Sequence, residues 1–467
     1  KQMAAVVFDR QRKNSIRDIL IDIKDSDNYY YAGIGRSEDW NDSDVAPNPE
    51  NSLRDARIAR LAIQSVKNIT DQTFVVPRYN WTSGAVYSAY DDDQQGYPIN
   101  AYYVMNSNQQ IYMCLQQGRT NANPPQVVAS TVQPTGNTTG TPFRTADGYM
   151  WKFLYSIGAL KASKFISTAY IPVSKVQDSA NATLLLDEIG VDSDSPAEDV
   201  EQQLVQQNAV PGQVLSYVIT NNGSGYTSAP TVTIRGDGSN AKAVATVVGG
   251  QLTKLTVLDS SDGSIAFGSG YTRASVTLTG GGGDSAQARA IIGPDNGIGA
   301  DPRDDLKSGA IMFNTKPSGA EDGSFLIDQD FRQVTLLKNI KQWDSDAVFT
   351  QETGSGLDKL ILTAVNDGPF VDDLIVQGST SGTKAYIDDV DSNGIFFHQS
   401  DYTGYGKFDS GETISIVEGG GSTTATVSNI LRGEFDPMSG ELLYIDNRAA
   451  VIRSTDQTED IKIVIQL

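Results

Sequence analysis

The chain has 467 residues, more than a single hydrophobic core ordinarily serves, so roughly two to four domains are expected. Its 36 Lys and Arg against 57 Asp and Glu leave a formal net charge of −21, which opposes contact with nucleic acid and with anionic membranes. Its one cysteine, Cys114, excludes an internal disulfide and a cysteine zinc site, and its one histidine, His398, would have to serve any Ser-His-Asp or Cys-His mechanism.

Ile16, Ile19, Leu20 and Ile23 recur at helical spacing and predict an amphipathic helix over 10–24, followed by a strand over 29–35. Ala59, Ala62, Ile63 and Val66 predict a second helix over 53–68, capped by Ser52 with Asp55 three residues on. Segments 100–106 and 110–116 read as a hairpin turned at Ser107-Asn108-Gln109. The second of these strands holds Cys114 in the apolar run Ile111-Tyr-Met-Cys-Leu115, where a small buried hydrophobe is expected. A Pro-, Thr- and Gly-rich loop covers 121–145, and 150–157 and 170–176 are strand candidates, with Trp151 expected in the core. An acidic stretch, 177–208, holds a short helix within 196–207. No apolar run approaches the ~20 residues that span a bilayer as a helix.

Residues 212–293 contain an internal repeat. Gly223-Ser-Gly-Tyr-Thr227 returns 45 residues later as Gly268-Ser-Gly-Tyr-Thr272, Thr231-Val-Thr-Ile234 as Ser275-Val-Thr-Leu278, and Ala241–Ala245 as Ala286–Ala290. Short strands with Gly-rich turns repeated in this way predict a small β-sandwich or barrel. The run Gly280–Gly283 has no Lys-Ser/Thr after it and opens no clear helix, which disfavours a phosphate cradle. A weaker repeat, 370–390 against 408–430, predicts a second all-β module. Between the modules, a turn is expected at 320–323 and a strand at 325–327. At the C-terminus, Leu442 and Tyr444 alternate before a turn expected at Asp446-Asn447-Arg448. Ile461, Ile463, Ile465 and Leu467 then mark the buried side of a final strand, which should pair with elements far earlier in the chain.

Candidate chemistry is sparse. Asp389-Val-Asp-Ser-Asn-Gly394 has the front of a calcium loop, with Asp389, Asp391 and Asn393 as oxygen ligands, but its twelfth position is Ser400 and no helices flank it. The competing reading is an Asn-Gly hairpin turn between 385–390 and 395–399. Asp91-Asp-Asp93 and Asp301-Pro-Arg-Asp-Asp305 offer paired carboxylates of the kind glycoside hydrolysis uses, or solvated loops. His398, between Phe397 and Gln399, carries no nucleophile motif and reads as structural or surface-exposed. Trp40 suits an interface loop or the core.

Four stretches carry a further signal: Ile34-Gly-Arg-Ser-Glu-Asp-Trp40, Asp147-Gly-Tyr-Met-Trp-Lys-Phe-Leu-Tyr-Ser-Ile157, Asp330-Phe-Arg-Gln-Val-Thr-Leu-Leu-Lys-Asn339, and the C-terminal segment from Gly440 through Asn447-Arg448 and Asp456-Gln-Thr-Glu459. In this order they resemble the baseplate wedge subunit of contractile-tailed bacteriophages, the gene-product-eight family. Asp39 stands where that family commonly has Pro, and Ala449-Ala450 where Pro often follows Asn-Arg. The resemblance implies a structural, non-catalytic subunit that needs no cofactor, calcium aside. It implies a homodimer within each wedge, contacting the counterparts of the sixth, seventh and tenth gene products. Assembly would take place in the host cytoplasm and the product would reside in the virion tail baseplate. The expected fold is multidomain α+β: a mixed α/β core over 1–208, 297–368 and 433–467, interrupted by β-repeat insertions at 209–296 and 369–432. The rival reading is a tail protein that binds or depolymerises carbohydrate.

Overall fold

The computed structural model describes residues 7–40, 45–120, 122, 124–181, 183–318, 330–418, 421–454 and 456–467. The turn and strand expected at 320–323 and 325–327 lie outside them. Strand accounts for 41% of the chain and helix for 11%, so sheets carry the architecture of a mixed, sheet-rich protein. The residues form two compact units, one of 1–21, 73–312 and 465–467, the other of 22–72 and 313–464.

The second unit is built on a five-stranded antiparallel sheet in the order Thr353–Ser355, Ile63–Asn68, Tyr30–Gly35, Phe331–Lys338, Glu441–Val451. All six residues of Tyr30–Gly35 are buried, as a strand covered on both faces requires. Its glycines are dictated by close approach. A Cβ on Gly33 would lie 2.4 Å from Thr335 Oγ1, and one on Gly35 would lie 2.0 Å from the Ala62 carbonyl oxygen. Tyr31, Phe349 and Phe435 stack in tilted pairs at 5.6 Å within a core that also takes Ile63, Val66 and Leu337. The Tyr31 hydroxyl donates to the Phe349 and Gln351 carbonyls at 2.9 Å, so the ring is buried without orphaning its polar end.

Three expectations are corrected here. The helix expected over 53–68 ends at Leu61, and Ile63–Asn68 is a strand. Ser52 does cap it, accepting from the Asp55 amide. The apolar spacing suits either element, but β-branched Ile63 and Val66 fit a strand, and pairing with Tyr30–Gly35 decides it. The turn expected at Asp446–Arg448 lies inside the eleven-residue strand Glu441–Val451. Asn447 sits opposite Gln333, whose Nε2 donates to Asn447 Oδ1 at 2.6 Å, so cross-strand bonds override its turn preference. The final strand, Ile461–Gln466, lies beside Ala310–Thr315; Ile461 and Ile463 are buried, but Ile465 is only half-buried and Leu467 is 49% exposed. The strand ends at Gln466, and the Leu467 amide donates to the Gly309 carbonyl at 3.0 Å.

Strands Asp358–Asn366, Ile375–Gly378, Lys384–Asp391, Gly394–His398, Thr413–Glu418 and Thr424–Leu431 close into a six-stranded barrel. The two repeats read from the sequence form two of its hairpins, and these join through Ile375–Gly378 and Thr413–Glu418. Closure also uses Asp358–Asn366, which precedes the repeat. Leu360, Val376, Ile387, Ile395, Ile414 and Val427 fill the interior.

In the first unit, Tyr103–Met105 and Gln110–Gln116 form the expected hairpin, its turn held by Asn106 Oδ1, which accepts from the Asn108 and Gln110 amides. Met150–Ser156 extends this sheet, and Tyr112, Cys114, Tyr149, Trp151 and Phe153 pack with Val205 of the helix Ala197–Gln207. Asp147 Oδ2 accepts from Ser130 Oγ and from the Thr131 and Val132 amides, at 2.8 to 3.0 Å, which ties down the Pro- and Thr-rich loop.

In place of the expected small β-sandwich or barrel, residues 214–292 pair as a nested antiparallel ribbon of two-stranded ladders. Val214–Asn221 pairs with Gln287–Ile292, Thr231–Gly236 with Ala274–Thr279, Ser239–Ala241 with Phe267–Ser269, and Ala243–Val248 with Gln251–Val257. The two copies of the repeated strand therefore face each other, Val232 against Leu278 and Ile234 against Val276. The repeated Gly-Ser-Gly-Tyr-Thr keeps its backbone as well: φ is 62° and 77° at Gly223 and Gly225, and 64° and 75° at Gly268 and Gly270. Both tyrosines, Tyr226 and Tyr271, are buried.

Gly268→Ala should destabilise the protein by about 1–3 kcal/mol, because φ is positive and its Cβ would lie 2.4 Å from the Ala241 nitrogen. Gly263→Ala, also at positive φ but with nothing within 4 Å, should cost about 1 kcal/mol or less. Urea midpoints of the two variants check the difference. The ribbon's ends are adjacent, since the Gly293 amide donates to the Gln213 carbonyl at 2.9 Å. Replacing 214–292 by a short Gly linker should therefore leave a soluble protein that still melts cooperatively, as followed by circular dichroism.

Candidate functional site

The only imidazole of the chain lies at the centre of a buried polar cluster in the second unit. Strand Lys384–Asp391 has a bulge between Ile387 and Asp389, which turns Asp388 into the interior. The neighbouring strand ends at His398, 3% exposed. Asp388 Oδ2 lies 2.7 Å from His398 Nδ1, and Glu38 Oε2 lies 2.9 Å from His398 Nε2. Ser37 Oγ and Gln64 Nε2 donate to Asp388 Oδ1 at 2.9 and 3.1 Å. Tyr386 stacks on the imidazole at 5.2 Å and 13°. Arg36 approaches Glu38 Oε1 at 3.5 Å and lays its guanidinium over Trp40, 3.9 Å from the ring.

The electrostatics follow from this geometry. Burial alone would push His398 down, but the carboxylates of Asp388 and Glu38 outweigh it and lift the imidazolium to about 10. Burial would raise Glu38, yet His398 and Arg36 hold it below its ordinary value. The ring is therefore a doubly donating cation at neutral pH. Ser37, Asp388 and His398 share the composition of a hydrolytic triad but not its arrangement. The serine hydroxyl bonds to the carboxylate, and both ring nitrogens bond to carboxylates, so among the described residues neither nitrogen is paired with a nucleophile. The arrangement is a charge clamp: a buried cation between two anions, tying residues 37, 38 and 64 to the barrel strands.

The clamp belongs to a larger set of contacts. Trp40 Nε1 donates to the Arg448 carbonyl at 2.7 Å, and Trp40 is buried, so in this chain it packs inside. Arg332 bonds to Asp330 at 2.6 Å and also reaches Asp39 and the Ser37 carbonyl. The Arg332 amide donates to the Arg36 carbonyl at 3.0 Å, and the Arg36 amide to the Ala62 carbonyl at 2.9 Å. Every residue from Arg36 to Trp40 therefore bonds to a segment distant in sequence or packs on a neighbour that does.

The other sequence candidates fall as follows. Asp391 and Gly394 flank a two-residue turn of Ser392 and Asn393 between paired strands. Asp391 Oδ1 accepts from the Asn393 and Gly394 amides at 2.9 Å, while Oδ2 is held by Lys359. Asp389 Oδ1 accepts from the Val390 amide. A cation bound by Asp389, Asp391 and Asn393 would have to displace the Lys359 ammonium. No cluster of three or more His, Cys, Asp or Glu suited to a metal occurs among the described residues. In the first unit, Asp91 and Asp92 both pair with Arg289. Asp301 chelates Arg303, which also binds Asp187 at 2.6 Å, and Arg17 joins Asp187 at 2.9 Å. Asp305 is 1% exposed and accepts from the Gly299 amide at 2.6 Å; burial raises its carboxyl well above the ordinary range. These carboxyls are committed to structural partners or buried. Cys114 is fully buried, and that burial pushes its thiol upward.

Sequence reading missed Glu38, Gln64 and Asp388 as partners of His398. The available signal was a lone histidine at a strand end with two acidic segments free to meet it, but nothing local set the pairing.

No protein-family model matches the chain, and no curated protein matches it.

Removing the central cation of the clamp, as in His398→Gln, should cost about 3–5 kcal/mol by leaving buried charge uncompensated. Because the folded His398 value lies above the unfolded ~6.5, its contribution is complete below that pH, declines as pH rises and is gone near 10. Glu38, held low, contributes fully above its unfolded value of 4.5 and loses that contribution as pH falls. Melting curves of the native protein should lose stability on both limbs, and His398→Gln should flatten the alkaline one. An unchanged alkaline limb would show that His398 is not the group responsible.

Proposed function

We propose that this chain is a structural, non-catalytic subunit of the baseplate wedge of a contractile phage tail, similar to the gene-product-eight family. In this reading an α+β core is interrupted by β insertions at 209–296 and 369–432. One observation carries it: three of the four family-like stretches, far apart in sequence, meet in space. Tyr30–Gly35, Phe331–Lys338 and Glu441–Val451 are adjacent strands. Side chains of these stretches engage one another, as Asp39 with Arg332, Trp40 with the Arg448 carbonyl, and Gln333 with Asn447. Asp39, which departs from the family's common Pro, has its own ion-pair partner there. The fourth stretch supplies Asp147, Tyr149 and Trp151, which fix a long loop and a core. Residues spent on holding distant segments together suit a protein whose task is to present rigid surfaces. The dominant buried charge cluster is likewise arranged as a clamp.

The subunit would act as a homodimer in the virion tail baseplate, assembling in the host cytoplasm against the counterparts of the sixth, seventh and tenth gene products. Light scattering of the purified chain should give twice the monomer mass. Co-expression with those counterparts from the same phage should yield a complex that survives size exclusion. A monomer that retains none of them sinks the reading.

A further inference from the structure

Within the first unit, one face of the β ribbon borders a cleft of about 510 Å³, inside the ~300–1,000 Å³ range of small-molecule sites. Its walls come from residues 88–98, the end of strand Gln110–Gln116 with the segment after it, and strands Val214–Asn221 and Gln251–Val257. The charge at this cleft runs against the chain as a whole. Arg119 and Lys254 line it, and Arg144 lies close enough to act on Lys254. Neither arginine is neutralised by a carboxylate. Arg144 Nη2 donates to Gln116 Oε1 at 2.6 Å, and Arg119 Nη2 to Gln117 Oε1 at 3.5 Å. No ion pair involves any of these three cations among the described residues, although the chain carries 21 more acidic than basic groups. Burial, and then Arg144 and Arg119, draw the Lys254 value down, as expected where cations gather without a counter-ion. The one acidic group on the wall, Asp91, shares Arg289 with Asp92. The Tyr217 hydroxyl is buried at the cleft with no hydrogen-bond partner.

We propose that this cleft binds a short acidic saccharide, its carboxylate or sulfate held by Arg119 and Lys254. Gln116 and Gln117 each spend one Nε2 hydrogen on a carbonyl, of Leu215 and Tyr87, which leaves each a second N–H to give to a sugar hydroxyl, and Tyr90 supplies a ring. This mixture of amides and an aromatic ring beside a few cations favours a saccharide over an acidic peptide, which needs charge at regular spacing. The proposal does not depend on the wedge assignment.

The test is calorimetric titration of the full chain with tetragalacturonate and with a sialylated trisaccharide. The methyl-esterified tetrasaccharide serves as a neutral control and hexaglutamate as an acidic peptide. At least one acidic sugar should bind, the neutral control should not, and hexaglutamate should bind more weakly. Arg119→Gln and Lys254→Gln should each weaken binding at least about tenfold without lowering the melting temperature. Arg144→Gln, outside the cleft wall, should weaken it less and provides a second route should either variant misfold. Absence of binding by both acidic sugars at millimolar concentration overturns the proposal. So does equal binding of the neutral control, tighter binding of hexaglutamate, or binding untouched by all three substitutions.

Discussion

The second unit depends on one constraint: strand Tyr30–Gly35 is buried throughout, so every backbone group in it needs a protein partner. Those partners come from Ile63–Asn68 on one edge and Phe331–Lys338 on the other. Glycines at 33 and 35 let the neighbouring segments approach, and an orphaned amide there would cost several times the net value of an ordinary hydrogen bond. Glu441–Val451 then covers the free edge of Phe331–Lys338. The polar contacts of residues 36–40 begin where this strand ends, so the clamp extends an alignment the sheet already imposes.

The clamp contributes specificity more readily than net stability. A buried cation between two buried anions recovers little more than the desolvation it costs, whereas breaking it is expensive. Asp388 and Glu38 satisfy the imidazolium, Ser37 and Gln64 satisfy Asp388, and no apolar substitute would demand the same register from three separate segments. The Arg303–Asp187–Arg17 set in the first unit has the same character, drawing three distant segments onto one guanidinium and carboxylate. Each unit therefore places fixed charge where apolar packing alone would tolerate a slip.

Much of this was legible in the sequence. The first helix, the hairpin at 103–116, the Ser52 cap, the short helix near 197 and both repeats follow from periodicity and turn chemistry, which are local properties. The β ribbon was legible because its two copies are similar, though not that they pair face to face. Two of the failures have one reason. Ile63–Asn68 carries a helical spacing and Asp446–Arg448 a turn composition, and in both places a strand partner outside the local window outweighs the local preference. The His398 cluster was illegible on the same ground: its members stand at 37, 38, 64, 388 and 398, and only the folded sheet brings them together. The pairing of the three family-like stretches was likewise invisible to spacing or composition.

The distance between the paired strands also bears on how the protein is made. Tyr30 lies opposite Lys338, 308 residues later in the chain. At roughly 5–20 residues per second, the first strand waits on the order of 15–60 s before its partner exists. The ribbon at 214–292 closes on itself and can form during that interval, whereas the barrel at 358–431 is made only after it. The central strand, apolar on both sides, stays without its second edge in the meantime. Synthesis order thus opposes the order of importance in the finished unit: its most buried strand leaves the ribosome early and is completed late. Chaperone cover over that window would matter more for this chain than for one of the same length with neighbouring strands adjacent in sequence.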